Sequence, residues 1–491
     1  MHSKEAAGCR LCRYRRVQEK RPDRDCLNGE VTVYLTLTFV LFVSLILALV
    51  ESASVQMAKN YRRADMNRAL ECVFAEYQKE LLENYDVFAI ECGYETGTYT
   101  EQNILDRLSY YGADMENEIE RIQLFTDNSG ELFRDQVGKY MKHKYGIAWA
   151  DKYLGNVSLW KNQEEKADEF TEEEEKQNDQ LKDLLGEQEA ELPEEENPMQ
   201  HVAELKHSSI LELVLPKDKT ISEKQISLQE MPEKRENHTG YGAFSDVEPE
   251  DGTLTSVLLG EYVIDHFTDF TDGPKGGELD YELEYILAGR ESDKGNLETV
   301  AKKLVMLRFV PNYIYLQTSS TKQAEARAAA GTLCMAEDRR PQVNQHIQRD
   351  VQHALHLTAA QGILLAWAYG ESVMDVRSLL DGQKAAITKD DTNWQLSLSG
   401  LMKLGTDEDT GTGMDVQDGM GYKDYMRMLL FLEGKERMSM RAMGIIEKNM
   451  QSIYGQPAFR IDYCAGRMEI RTVCNLRRGI KYQYRTYYGY Q

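Results

Sequence analysis

The sequence predicts a mainly helical α+β protein in which an N-terminal transmembrane helix extends into a stalk beneath a large extracytoplasmic domain containing small sheets. Three observations carry that expectation. Val31–Val50 holds no charge over twenty residues, and a helix of that length reaches about 30 Å, the thickness of a bilayer's hydrocarbon core. Long stretches poor in Pro and Gly, with apolar residues at helical spacing, dominate the chain beyond Val50. Ala458–Tyr484 alternates instead and is rich in Tyr, which predicts a hairpin or meander.

The first of these elements has three competing readings. A cleaved signal peptide fits the small residues Ser52-Ala53-Ser54 after a basic leader. The apolar run is longer than a usual signal core, however, and Glu51 falls where that core should end cleanly. A buried soluble helix is seldom apolar on every face for so long. An uncleaved anchor is the favoured reading, with membrane lipid as the partner of Val31–Val50. Orientation follows from Arg10, Arg13, Arg15, Arg16, Lys20, Arg21 and Arg24, which place the N-terminus in the cytoplasm and the C-terminal domain outside the cell membrane. Lys59, Arg62, Arg63 and Arg68 on the far side weaken that asymmetry.

Beyond the anchor, Ser54–Tyr85 lacks Pro and Gly, and Ala58, Tyr61, Ala69, Val73, Tyr77, Leu81 and Tyr85 form one helical stripe. A continuous helix over 31–85 is the expectation, with a separate amphipathic helix after a kink as its alternative. Asp86–Glu91 reads as a short buried strand, and helices follow over Glu101–Arg121 and Leu132–Lys144. Glu164–Glu196 carries sixteen acidic residues against three Lys, too polar to bury a core. Ile210–Leu215 alternates like a strand up to Pro216. Helical patterns return over Leu254–Leu316 (broken at Gly273–Gly277), Lys322–Leu380 (interrupted near Arg340-Pro341) and Tyr422–Tyr454. The implied organisation is a basic cytoplasmic tail (1–30), the transmembrane helix (31–50), a stalk helix with the first part of the ectodomain (51–160), an acidic linker or solvated helix (161–200) and the main extracytoplasmic α+β domain (201–491).

Bulk composition excludes several classes of function. A net charge of −24 argues against nucleic acid, whose phosphates require clustered Lys and Arg. The positive residues concentrate at the N-terminus, where residues 1–30 hold eight Lys/Arg against five Asp/Glu. Cys9, Cys12 and Cys26 precede the apolar run, and Cys72, Cys92, Cys334, Cys464 and Cys474 follow it, too few for a disulfide-built scaffold. Cys464 and Cys474 are a candidate disulfide across the C-terminal hairpin.

Motifs for chemistry are weak. His346, His353 and His356 share a helical face, but no His-Glu-x-x-His accompanies them. Cys9, Cys12, Cys26 and His2 have irregular spacing for a metal site. The Gly-rich stretch from Thr410 to Gly421 lacks the Lys-Ser/Thr that completes a phosphate loop. No catalytic residue, cofactor site or metal site is assigned, and a non-enzymatic protein is expected. The densest polar and aromatic mixture comprises Tyr281, Glu282, Tyr285, Arg308, Trp367, Glu371, Asp375 and Arg377, together with Asn296, Asn312 and Tyr369. Glu282 and Arg308 are candidates for buried pairing with Glu371 or Arg377. A polar network locking helices together is favoured over a ligand cleft.

The order of motifs resembles an uncharacterised family of Gram-positive, clostridial-type membrane proteins defined as a domain of unknown function. The matching pieces include GEVTVYLTLTFVLFVSLILALVESA, LLENYDVFAI, FRDQVGKYMKHKYG, ILELVLP with ISEKQISL, LDYELEYILAG, NLETVAKKLVMLRFVPNYIYL, AWAYGESVMDVRSLLDGQKAAITK and GYKDYMRMLLFL. At the N-terminus the family looks similar to the TadE/TadG-like proteins of Tad-type pilus and secretion systems. The resemblance implies a non-enzymatic structural or assembly component at the cell surface, partnered by pilus or secretion-system proteins. A membrane-tethered ligand-binding or sensing ectodomain is the alternative. Gly29 is followed by Glu30 and the fifth residue after it is Tyr34, which departs from the prepilin pattern, so no processing site is carried over.

Overall fold

The computed structural model describes residues 24–146, 160–162, 165–170, 172–173, 175–177, 179–183, 197–216, 219–244, 252–274, 276–335 and 345–490. The basic tail with His2, Cys9 and Cys12, and the Arg340-Pro341 break, lie outside them. The side chains of Cys26 and His346 do as well.

Helix α1 runs unbroken over Arg24–Phe74. Among the described residues it is the one helix long and apolar enough to cross a membrane. Its apolar side chains from Val31 to Val50 are exposed. Thr36, Thr38 and Ser44 donate their hydroxyls to carbonyls one turn back, at 2.8–3.0 Å, so these polar groups are satisfied without water. Towards its C-terminal end the same helix becomes a core element, with Met66, Ala69, Leu70, Val73 and Phe74 fully buried.

The continuous helix expected to reach Tyr85 stops at Phe74, and α2 (Lys79–Tyr85) restarts it. No residue forces the break; tertiary bonds do. Gln78 donates its backbone N–H to the Ala89 carbonyl at 2.9 Å, and the Glu76 carboxylate accepts from Arg107, Tyr94 and Tyr111. The predicted strand over Asp86–Glu91 shrinks to β1, Ile90–Glu91.

The helix predicted over Glu101–Arg121 is α3 (Glu101–Tyr110) followed by strand β2 (Glu116–Leu124). Gly112, at φ +95°, turns the chain between them. Helix α4 (Glu131–Tyr145) fulfils its expectation. Described residues of the acidic segment between 160 and 183 are helical. They bury Ala167 and Leu181 and set Phe170 edge-on to Tyr313, so this charged stretch still docks through a few apolar side chains.

The main body contains α5 (Pro198–His207), α6 (Ile210–Val214), α7 (Thr253–His266), α8 (Glu282–Ala288), α9 (Asp293–Thr318), α10 (Ser320–Met335) and α11 (Gln345–Leu380). It continues with α12 (Leu398–Leu401), α13 (Tyr422–Leu432) and α14 (Lys435–Ser452). The strand predicted for Ile210–Leu215 is therefore a helix. Ile210, Leu211, Leu213 and Val214 are all buried, and that i, i+1, i+3, i+4 spacing suits a short helix wedged against α9 and α11 rather than an alternating strand. The single helix expected over Tyr422–Tyr454 is split at Gly434.

The C-terminal strands are as predicted: β3 (Cys464–Asn475) and β4 (Lys481–Gly489) form an antiparallel hairpin. β3 is central, pairing with β2 on one side (Glu116↔Val473 to Leu124↔Ala465) and with β4 and β1 on the other. Helices α1 and α3 cover this sheet and enclose one core of Leu70, Val73, Leu108, Ile119, Met468 and Ile470. A larger core fills the helical body.

The candidate disulfide is corrected by this register. Cys464 and Cys474 stand at opposite ends of the same strand, about 30 Å apart by strand rise. They do not face each other across the hairpin: Cys464 pairs with Glu91 and Cys474 with Tyr482, and both thiols are free.

Candidate functional site

Helices α9 and α11 pack along each other and bring Arg308, Asn312, Glu371, Ser372 and Asp375 together. Each of these five side chains is almost completely buried. Arg308 donates from Nε to Asp375 at 2.9 Å and from Nη1 to the Tyr425 hydroxyl at 2.7 Å. Lys389, from the loop after α11, donates its ammonium to Glu371 at 2.6 Å and to Asp375 at 2.7 Å. Asn312 donates to both Ser372 and Asp375. Two cations thus face two carboxylates with no net charge, the condition under which ionised groups survive burial. Burial pushes the Asp375 carboxyl up, but Arg308 and Lys389 outweigh it and hold it below the usual carboxylate range. Burial prevails at Glu371, which is raised despite Lys389.

The segment after Lys389 hangs on this network. Glu371 accepts the backbone N–H groups of Gln395 and Leu396, and the Leu396 carbonyl accepts from Trp367 Nε1 at 2.8 Å. Gly370 lets the segment pack closely on α11: a Cβ there would lie 2.4 Å from Leu401 Cδ1, so the Leu401 side chain would have to shift. Gln395 donates to Asp375 and accepts from the Met414 backbone N–H, linking the buried charges to a polar cleft of about 540 Å³. The cleft is lined by Trp394, Gln395, Lys403, Asp409 and the Gly-rich stretch 410–414. Arg377 fixes its rim, donating to both oxygens of Asp409 and to the Leu213 and Gly411 carbonyls.

The eight residues singled out in the sequence therefore fall in three places. Arg308, Glu371 and Asp375 share the network, with Trp367 beside it. Arg377 belongs to the cleft rim. Tyr281, Glu282 and Tyr285 lie elsewhere, around α8. The expected pairing of Glu282 and Arg308 with Glu371 or Arg377 is corrected accordingly: Arg308 takes Asp375, Glu371 takes Lys389, and Glu282 accepts from Asn449 and the Thr268 backbone. Lys389 and Gln395 lie in a loop outside any periodic pattern, and Tyr425 lies within the helical pattern of α13; only the fold carries the three to α11.

A second buried carboxylate stands near Glu282. Glu284 accepts from the Tyr422 hydroxyl at 2.6 Å and from the Phe270 backbone N–H at 2.9 Å, and among the described residues no cation is ion-paired with it. Burial and then Asp269 push its pKa up to about 8, against the pull of Tyr422 and Phe270. The folded protein therefore keeps a proton that the unfolded chain releases near pH 4.5. Stability from this group is complete below that pH and falls, by up to about 1.4 kcal/mol per pH unit, until the folded carboxyl ionises near pH 8. Glu284→Gln should flatten that slope, and its thermal midpoint should overtake the parent's progressively from pH 5 to pH 8. Parallel pH profiles for the two proteins would disprove the assignment.

His353 and His356 lie on α11, the former exposed and the latter half-buried. Among the described residues, no cluster of three His, Cys, Asp or Glu side chains is arranged to hold a metal ion.

Comparison with known proteins adds one relationship. No curated protein and no solved structure matches the chain. A family model described as a family of unknown function, DUF5702, matches residues 188–476, from the acidic segment through α5–α14 and all of β3. That match spans more than half of the 491 residues and contains the charge network and the cleft, and on it the chain belongs to the DUF5702 family.

Proposed function

We propose that this is a single-pass membrane protein of the cell surface, anchored through Val31–Val50 with its N-terminus in the cytoplasm, and that it is a non-enzymatic structural or assembly component of a Tad-like pilus or secretion apparatus. The observation that carries the reading is α1 itself. One unbroken helix is lipid-compatible over Val31–Val50 and a core element of the domain from Met66 to Phe74. Such a join transmits position and force, as an assembly component must. The N-terminal likeness to TadE/TadG-like proteins supports the same assignment, as does the likeness to Gram-positive membrane proteins. The charged residues at the centre of the body bond to one another and are closed to solvent, which suits a structural lock better than catalysis.

A ligand-binding or sensing ectodomain is the second reading, favoured by the 540 Å³ cleft tied to the network through Gln395. Crosslinking in intact cells from exposed positions within Ser54–Tyr85 tests the first. Pilus or secretion components should be captured. Capture of the protein alone, or of cytosolic proteins, would remove the assembly role.

A further inference from the structure

The turn joining β3 to β4 lies against α1 at the point where the uncharged run ends. Arg478 in the turn is ion-paired with Glu51, the residue immediately after Val50. From there β4 climbs beside α1. Lys59 Nζ stands 5.0 Å from the Tyr482 ring centre, and the Tyr484 hydroxyl donates to the Arg62 carbonyl at 2.7 Å. The Tyr490 hydroxyl then reaches the Phe74 carbonyl. The helix rises about 34 Å from Glu51 to Phe74, and the nine residues of β4 extend about 30 Å. The hairpin therefore stands parallel to α1, its turn level with Glu51.

That turn exposes Arg477, Arg478, Ile480 and Lys481. It is a cationic tip with one apolar side chain, on a chain of net charge −24. Arg477 and Lys481 enter no ion pair among the described residues, and the Arg478–Glu51 pair is itself exposed, so folding gains little from these charges. We propose that the β3–β4 turn is a second membrane contact that binds anionic lipid headgroups on the domain's side of the bilayer. The proposal rests on α1 spanning the membrane, which puts the turn at headgroup depth. Charge complementarity selects the ligand: each basic side chain near an anionic surface favours the bound state roughly fivefold. Because β4 is packed on α1, the contact fixes how the domain is rotated and tilted over the membrane.

The test uses the full chain in nanodiscs, with lipids brominated either near the headgroup or near the acyl-chain end. Two Trp reporters, Ile480→Trp and Phe42→Trp, are read as differences from the parent, which has four Trp of its own. In discs of phosphatidylcholine with phosphatidylglycerol, I480W should be quenched by the shallow bromines and F42W by the deep ones. Quenching of I480W should be lost in the R477Q/R478Q background and in pure phosphatidylcholine. Quenching of F42W without I480W would overturn the headgroup contact and leave the span standing. Quenching of neither would overturn the span, and the contact with it. Equal quenching of I480W in both lipids would overturn anionic headgroups as the ligand.

Discussion

Asp375→Leu is expected to destabilise the helical body by about 3–5 kcal/mol, the cost of leaving buried charge unpaired. Asp375 is fully buried and receives four donors: Arg308 at 2.9 Å, Lys389 at 2.7 Å, Asn312 at 3.1 Å and Gln395 at 3.2 Å. Its removal leaves Arg308 and Lys389 facing a single carboxylate, Glu371, whose oxygens already serve two backbone N–H groups. Both cationic side chains are 1% exposed, so neither is solvated in place. A combined variant, R308M/E371Q/D375L/K389M, should recover much of the loss. It removes the charges together while Gln at position 371 still accepts from the Gln395 or Leu396 backbone. Denaturant or thermal midpoints of the full chain in detergent distinguish the cases. A single variant as stable as the parent would show that the pairing is not as described.

The contrast between what the sequence revealed and what it hid follows from the range of the interactions. The long apolar helix at the N-terminus was legible because twenty uncharged residues are a local property. So was the C-terminal hairpin, where alternation and Tyr enrichment agree with the pairing of β3 and β4. Helix ends were legible where a breaker marked them, and misread where none did. Phe74 ends α1 because Gln78 bonds to Ala89 across a turn, which no residue at 75–78 announces. Gly112 was the overlooked breaker between α3 and β2. Ile210–Val214 shows the limit of a short, mostly apolar segment, which is too brief for its spacing to fix strand or helix in advance. The polar residues of α9 and α11 stood out because charges are rare in apolar helices. Their partners did not: Lys389 lies fourteen residues after Asp375 in a polar loop, and Tyr425 more than a hundred residues after Arg308. Composition located the charges; topology chose the pairs.

Leu70→Asp should have an effect of similar size, and one that bears on the anchor rather than the body. Leu70 is 1% exposed, on the part of α1 that packs under the sheet with Leu108, Ile119 and Ile470. Losing the side chain alone costs about 2–5 kcal/mol at a core leucine. A carboxylate in its place adds the cost of burying a polar group with no partner, or of protonating it. The side chains of that cluster are apolar apart from Tyr and Cys, so they offer a carboxylate no ion pair. The sheet should therefore release α1 while, on the proposed anchoring, the apolar half of the helix stays in the membrane, and the body should keep its own core of α4–α14. Limited proteolysis of the full chain in nanodiscs reads this directly. Cleavage between Glu51 and Gln78 should be faster in the variant than in the parent, and a domain fragment should leave the disc. Unchanged resistance would mean that the domain holds α1 by some other surface. If the release does occur, Leu70→Asp supplies a protein that is anchored and folded but no longer rigidly joined. An assembly component should fail under that change, whereas a tethered binding domain should keep its ligand.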